Sequence, residues 1–409
     1  MILPSVLVCG AETPVIRANA NAIIRIVRVR VSRRAIVVVA LIGLSLSCSS
    51  VGLGSVPSLA APVLNQPPSE IQPTGVPSDP VTSIPLRVGR GFRGPWYEVY
   101  FTDPSSPASR QLTGGIDGPL VAAIDAARIS VHAAIYSLSL GNVRRALIRA
   151  HRRGIDVRIV MESDNMDGRE PQALKDAGIP MLGDRRQGLM HNKFIVVDAA
   201  EVWTGSMNLT VSGVYEDNNS ILRINSRPIA DDYETEFHEM FEKDIFGPGV
   251  GDPTPNPHAV IDGTSIEVYY SPDDRVQAAL LGIMGAARST VDFLAFSFTS
   301  NPLGEAAVRA AKTGVAVRGV MDEDQSRTDI GTEFDTFRAA GLDVRLDGNA
   351  GQMHDKVFMV DGETVVVGSY NFTRGAEESN DENVLVIHSR RIAALYAEEF
   401  QRIFVLARP

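Results

Sequence analysis

Beyond Cys48 the chain contains no cysteine. That excludes an internal disulfide and any thiol chemistry in residues 49–409. Positive charge is scarce as well. The first 48 residues hold six arginines and one acid, Glu12, leaving 33 basic against 48 acidic residues, a formal charge of −15. Phosphate neutralisation supplies most nonspecific affinity for nucleic acid, so such a body argues against DNA or RNA as the main partner unless a local basic cleft hides inside the negative total. Arg185-Arg186 with Arg152-Arg153 is the only cluster able to begin a basic track. A bilayer-spanning run is also missing near the N-terminus, because "AIVVVALIGLSL" (35–46) has twelve residues where a spanning helix needs about 20.

That run does suit the apolar region of an export signal. Arg33 and Arg34 precede it and the small residues "SCSS" surround Cys48, so residues 1–48 read as a signal peptide or membrane-anchoring segment. Cys48 is a candidate lipid attachment site, although the preceding "SLS" matches the lipoprotein pattern poorly. The long region before the run suggests that translation starts near Val29 or Val31. Residues 49–92 carry eight prolines among Ser, Gly and Val without periodicity, the composition of an extended linker. The expected location is outside the cytoplasm, secreted or held at a bacterial cell envelope.

A chain of 409 residues suits two cores of ordinary size, and the chain beyond the linker is a repeat. "EVYF" (98–101) returns as "EVYY" (267–270), and "AARISVHAAIYSLS" (126–139) as "AARSTVDFLAFSFT" (286–299). "AHRRGIDVRIVME" (150–162) matches "AAKTGVAVRGVMD" (310–322), and "YETEFHEMF" (233–241) matches "YAEEFQRIF" (396–404). Tyr233, Phe237 and Phe241 repeat at helical spacing opposite Tyr396, Phe400 and Phe404, a stripe that reads as core packing. Strands alternating with helices indicate an α/β architecture with mixed, mostly parallel sheets flanked by helices. The expected organisation is one α/β domain over 93–247, a linker over 248–262, and a second domain over 263–409. The two should pack as pseudo-twofold partners, a homodimer fused into one chain.

The clearest repeat is "MHNKFIVVDAAEVWTGSMNLT" (190–210) with "MHDKVFMVDGETVVVGSYNFT" (353–373). On a strand, residues two apart share a face, so His191 and Lys193 point together, as do His354 and Lys356. "DAAE" and "DGET" turn the strand back, with Asp361-Gly362 the stronger hairpin signal. The returning strand then places Asn208 opposite His191 and Ser206 opposite Lys193, and likewise Asn371 with His354 and Ser369 with Lys356. Lysine and asparagine are donors suited to phosphate oxygens. Histidine, with an unperturbed pKa of about 6.5, serves as nucleophile or proton donor near neutrality. Two histidines on opposite sides of one phosphorus permit in-line displacement, which explains why the patch occurs twice.

The spacing His-x-Lys-x4-Asp-x6-Gly-Ser-x-Asn, met at His191, Lys193, Asp198, Gly205, Ser206 and Asn208 and again at His354, Lys356, Asp361, Gly368, Ser369 and Asn371, closely resembles the phospholipase D superfamily. The resemblance covers roughly residues 95–406. It implies a phosphodiesterase that works through a covalent phosphohistidine, with no metal and no cofactor. By that resemblance His191 is the nucleophile and His354 the general acid. Lys193, Lys356, Asn208 and Asn371 bind phosphate, together with Ser206 and Ser369. Asp198 and Asp361 belong to the catalytic motif, but their place at the turn suits fixing the hairpin better than touching substrate. An acidic residue shortly after the Asn orients a catalytic histidine in this family. In the second half it is Glu382; the aligned residue of the first half is Asn219. The two histidines are therefore expected to differ in task, because a carboxylate partner raises a histidine pKa more than an amide does.

Export and the acidic body favour phospholipid at a membrane surface as substrate, cleaved to phosphatidate and a free headgroup. The alternatives are an exported nuclease acting on DNA or RNA, a transphosphatidylase, and a catalytically dead lipid- or phosphate-binding module. A pseudo-dimer needs no second chain to complete its site, so a monomer without an obligatory protein partner is expected. Trp96 and Trp203 read as core. His132, His151, His238, His258 and His388 read as structural or solvated, since none repeats as histidine. "FHEMFE" does not form a zinc motif, because its second histidine is missing.

Overall fold

A computed structural model describes residues 81–249 and 251–408. The export segment, Cys48 and the linker up to residue 80 lie outside the described residues.

The first half builds a sheet from β1 (Thr82–Ile84), β2 (Arg90–Arg93), β3 (Tyr97–Phe101), β4 (Ser130–Ile135), β5 (Asp156–Met161), β6 (Met181–Gly183), β7 (Lys193–Val197), β8 (Glu201–Gly205) and β9 (Ser220–Asn225). Its helices are α1 (Asp117–Ala126), α2 (Gly141–Arg152), α3 (Arg169–Asp176), α4 (Val211–Tyr215) and α5 (Arg227–Lys243). The second half repeats the plan with strands β10 (His258–Ile261), β11 (Thr264–Ser271), β12 (Thr290–Ala295), β13 (Ala316–Met321), β14 (Asp343–Leu346), β15 (Lys356–Val360), β16 (Thr364–Gly368) and β17 (Glu382–His388). Its helices are α6 (Val276–Gly285), α7 (Asn301–Lys312), α8 (Glu323–Thr328), α9 (Phe334–Ala339), α10 (Arg374–Glu378) and α11 (Arg390–Leu406).

The strand orders are β1-β2-β3-β9-β8-β7-β4-β5-β6 and β10-β11-β17-β16-β15-β12-β13-β14. Both sheets are mixed, but the expectation of mostly parallel strands is corrected. Only β4-β5-β6 and β12-β13-β14 run parallel. Strands joined by a crossover helix must be parallel, whereas tight hairpins such as β7-β8 and β15-β16 must be antiparallel. Strands also occupy parts of both expected linkers: β1 and most of β2 fall within 81–92, and β10 within 248–262. These pieces are too short to show a period of two, and they add to the open edges of β3 and β11.

The strands β7 (KFIVV) and β15 (KVFMV) are buried throughout. Such continuous apolar runs suit strands covered on both faces. The outer face of the first sheet packs on α1, α2 and α3 through Ile124, Leu147 and Leu174, and that of the second on α6, α7 and α9 through Leu280, Leu303 and Phe337. The inner faces share one core with α5 and α11, joining Phe194, Tyr233 and Phe237 to Val357, Tyr396 and Phe400. Trp203 is buried against Tyr100, a stacked pair at 5.7 Å, and Trp96 is core as expected. No helix among the described residues is long and apolar enough to cross a membrane.

Candidate active site

Each motif histidine sits two residues before the first residue of a central strand, and its hairpin sets what surrounds it. Asp198 and Ala199, and likewise Asp361 and Gly362, adopt consecutive left-handed conformations, as a type I′ hairpin turn requires. The pairing beyond the turn is Val197 with Glu201 and Val360 with Thr364. That register differs by one residue from the one expected, because a third loop residue, Ala200 or Glu363, extends each turn. Ser206 and Asn208 are therefore not opposite Lys193 and His191, nor Ser369 and Asn371 opposite Lys356 and His354. The glycine before each serine lets two backbones meet. A Cβ on Gly205 would lie 2.3 Å from the Ser220 carbonyl oxygen, and one on Gly368 2.1 Å from that of Asn383.

The turn aspartates lie at the far end of the strand from the lysines, about 16 Å away at 3.3 Å per residue. Asp198 accepts the backbone N–H groups of Arg128, Ile129 and Ser130 at 2.7–3.1 Å. Asp361 does the same for Arg288, Ser289 and Thr290. Burial works against ionisation of Asp361, but these donors and the Ser289 hydroxyl prevail and hold it down at about 2. Their place among the catalytic residues is thus corrected: both aspartates anchor the hairpin to the start of β4 or β12.

The histidines are oriented by the opposite half. His191 Nδ1 lies 2.7 Å from Glu382 Oε2, and the His191 backbone N–H donates to the Asp381 carbonyl at 3.0 Å. Reciprocally, His354 Nδ1 lies 2.9 Å from Asn219 Oδ1, and its N–H donates to the Asn218 carbonyl at 2.9 Å. Single parallel bridges, Met190 with Asp381 and Asn218 with Met353, stitch the halves together beside each histidine. Within each half the lysine ammonium donates back to its histidine's carbonyl, Lys193 at 2.9 Å and Lys356 at 2.7 Å.

Ser206 and Ser369, expected at the phosphate, are fully buried and serve the network across the halves instead. Ser206 Oγ donates to Asn219 Oδ1 at 2.8 Å and reaches Asp355 Oδ1 at 3.0 Å, while Ser369 Oγ accepts the Asn383 N–H at 3.0 Å. Asn208 and Asn371 are half-buried, and each has a carboxamide oxygen without a partner among the described residues.

Several contributors were not singled out from sequence. Tyr136 lies edge-on to His191 and Phe296 tilted against His354, each at 4.9 Å, with the lysine ammonium 5.0 and 4.9 Å from the ring centre. Glu162 and Asp322 accept the N–H of Met190 and Met353, the residues preceding each histidine, at 2.9 and 3.0 Å. Asn192 binds Asn383 at 2.8 Å, and its counterpart Asp355 binds Ser220 at 2.7 Å. Each pair falls on matching positions of the repeat, which was the signal that could have found them.

All four motif bases are removed from water: His191 and His354 are 6% exposed, Lys193 4% and Lys356 2%. Burial, reinforced by the two lysines, holds both histidines well below the ordinary histidine value. Burial likewise lowers Lys193 well below its usual range and brings Lys356 to about 7. It raises Glu382 to about 7 against the opposing pull of Lys193. An anion arriving between the lysines offsets their mutual repulsion and favours the charged form of the lysines and histidines.

Two fused α/β halves that meet at a pair of His-Lys motifs form a duplicated phospholipase D-type fold. The family described as "Cardiolipin synthase, PLD-like domain" matches residues 120–241 and again 280–404, and the chain belongs to it, within the phospholipase D superfamily. Among curated relatives, the mitochondrial cardiolipin hydrolase of Chlamydomonas reinhardtii is 33% identical over 135 residues, 33% of this chain and 60% of that protein. The phospholipase D of Rickettsia prowazekii (strain Madrid E) is 33% identical over 137 residues, 34% of this chain and 66% of that protein. The chain thus spans about 60% of the length of these relatives. The phosphatidylserine synthase of Haemophilus influenzae Rd KW20 shares the fold, with a TM-score of 0.56 at 12% identity over 81% of this chain and 89% of that one.

Proposed function

We propose that the protein is a phospholipase D-type phosphodiesterase that hydrolyses phospholipids at a membrane surface. The observation that carries this reading is the reciprocal arrangement of the histidines. Glu382 and Asn219 each engage Nδ1 of the histidine from the other half, so both Nε2 atoms are left for one phosphorus between them.

In the first step His191 Nε2 attacks phosphorus, the bond to the headgroup oxygen breaks, and His354 Nε2–H protonates the leaving alcohol. Water then attacks the phosphohistidine and passes a proton to His354, the P–N bond breaks, and phosphatidate leaves. His191 suits the nucleophilic role because a carboxylate behind Nδ1 stabilises the positive charge that grows on the ring as the P–N bond forms. His354, backed by a neutral amide, parts with its proton more readily. Lys193, Lys356, Asn208 and Asn371 are the proposed donors to the phosphate oxygens, with no metal required.

The names of the relatives support a phospholipid substrate. So does the state of the basic cluster: Arg185 is paired with Asp244, Arg186 with Asp381, and Arg153 donates to the carbonyls of Ile124 and Ala127. Those three guanidiniums are engaged within the protein, which weakens the cluster as a track for a polyanion. The proposed molecule is a monomer, exported and held near the envelope by its N-terminal segment.

The test is turnover in EDTA on phosphatidylcholine and cardiolipin vesicles and on single- and double-stranded DNA, with His191→Ala and His354→Ala alongside. Phosphatidate release abolished by both substitutions is expected. DNA cleavage with inert vesicles would make the protein a nuclease.

A further inference from the structure

The second histidine that "FHEMFE" lacks is supplied from elsewhere in the fold. His132, on β4, faces α5, where Glu234 and His238 stand one turn apart on the same side of the helix. One ligand-type atom from each of the three lies within 4.8 Å of the others. Glu234 Oε2 is 2.6 Å from His132 Nδ1 and 3.6 Å from His238 Nε2. His132 is stacked on Phe237 at 4.8 Å, nearly parallel, which fixes its ring.

Hydrogen bonding within the cluster is incomplete. His132 is 6% exposed and Glu234 8%, yet His132 Nε2 and Glu234 Oε1 have no hydrogen-bond partner among the described residues. Buried polar atoms are ordinarily satisfied, and an exception asks for a reason. The repeat supplies an internal comparison. At the matching place of the second half, Asp292 stands for His132 and Gln401 for His238, and Arg318 closes a two-pronged ion pair on Asp292 at 2.7 and 2.8 Å. That half has an ordinary salt bridge over Phe400. In the first half the equivalent arginine, Arg158, turns instead to Asp156 and Glu242, leaving two imidazoles and a carboxylate together.

We propose that His132, Glu234 and His238 form a binding site for a divalent transition-metal ion, with zinc the best match. Two imidazoles and one carboxylate are a common zinc donor set, and tetrahedral coordination at about 2.1 Å separates donor atoms by about 3.4 Å. The gap between Glu234 and His238 already has that size, and the gap between Glu234 and His132 opens by less than 1 Å. When His132 Nδ1 coordinates the ion, the ring proton moves to Nε2, where Asp156 Oδ2 stands 3.7 Å away to receive it, the outer partner that zinc-bound histidines usually have. His238 is partly exposed and gives the ion an entry path. The ion joins α5 to β4, away from the histidines of the cleft, and plays no part in the phosphodiester chemistry.

The test is a zinc titration of the metal-stripped full chain by calorimetry, with metal content and melting temperature read in parallel. Wild type is expected to bind one zinc per chain and to melt at a higher temperature with zinc than with EDTA. His238→Ala, at a partly exposed position, and Glu234→Gln each weaken binding at least tenfold and abolish the melting shift, whereas His191→Ala retains both. Absence of stoichiometric zinc, or unchanged affinity in His238→Ala, would overturn the assignment. Loss of binding in His191→Ala with retention in His238→Ala would place the ion in the cleft and overturn it equally.

Discussion

Above a pH of about 7, where Glu382 is ionised, Glu382→Gln removes one charge from the site while keeping its shape. The carboxylate is fully buried and lies 2.7 Å from His191 Nδ1, so it faces the ring on which positive charge appears when Nε2 bonds to phosphorus. Opposite charges about 4 Å apart attract by about 4 kcal/mol at an effective dielectric near 20. Glutamine keeps a neutral hydrogen bond, so the net loss in the transition state is about 3 kcal/mol, or roughly two orders of magnitude in rate. Single-turnover kinetics of phosphoenzyme formation measure it directly. The same loss should appear with a phosphodiester whose leaving group is as weakly basic as p-nitrophenolate, since attack is what slows. His354→Ala should behave differently, regaining much of its rate of phosphoenzyme formation on that substrate because the leaving group no longer needs an acid. A Glu382→Gln protein within threefold of wild type, or one rescued by the good leaving group, would refute the assignment of His191 as nucleophile.

The pH profile of kcat/KM should fall on the alkaline side as the free protein titrates through about 7. Lys356, lowered to about 7 by burial, carries its charge below that value and loses it above, taking phosphate affinity with it; Lys356→Arg moves the limb upward, and a flat profile to pH 9 would contradict the assignment. Asp361→Asn should cost about 2 kcal/mol at neutral pH by weakening acceptance of three backbone donors. Because the folded carboxyl is held at about 2, this stabilisation is present above the unfolded carboxylate value and is lost as pH falls through about 2, so denaturant midpoints of variant and wild type should converge in acid. Ala199→Gly should stabilise by about 1 kcal/mol, since Ala199 occupies a left-handed position at φ 47° that glycine adopts without steric cost; an unchanged or lower midpoint would show that the turn relaxes differently.

The repeat and its paired motifs were legible because each motif is local: a histidine, a lysine and a hairpin lie within one stretch of chain. What failed to show was everything set between stretches. The extra loop residue at Ala200 moves the hairpin register by one, which takes Ser206 out of reach of Lys193 and into the network that holds Asn219. Glu382 was recognisable as an orienting acid, but its recipient, His191, lies in the other half, and only the packing of the halves decides that. His132 looked like an isolated histidine on an apolar strand because its companions arrive on a helix about a hundred residues later. Parallel order was overestimated because helix-strand alternation is conspicuous in sequence, whereas the hairpins that make most neighbours antiparallel are short.

The most direct measurement is to quench the protein during turnover of a phospholipid labelled in its phosphatidyl group, under conditions that preserve phosphoramidate, and to map the modified peptide by mass spectrometry. The two-histidine mechanism requires the phosphatidyl adduct on His191, absent from His191→Ala, and accumulating in His354→Ala when the labelled substrate carries a p-nitrophenyl leaving group that needs no acid. An adduct on His354, or steady turnover with no adduct on either histidine, would contradict it.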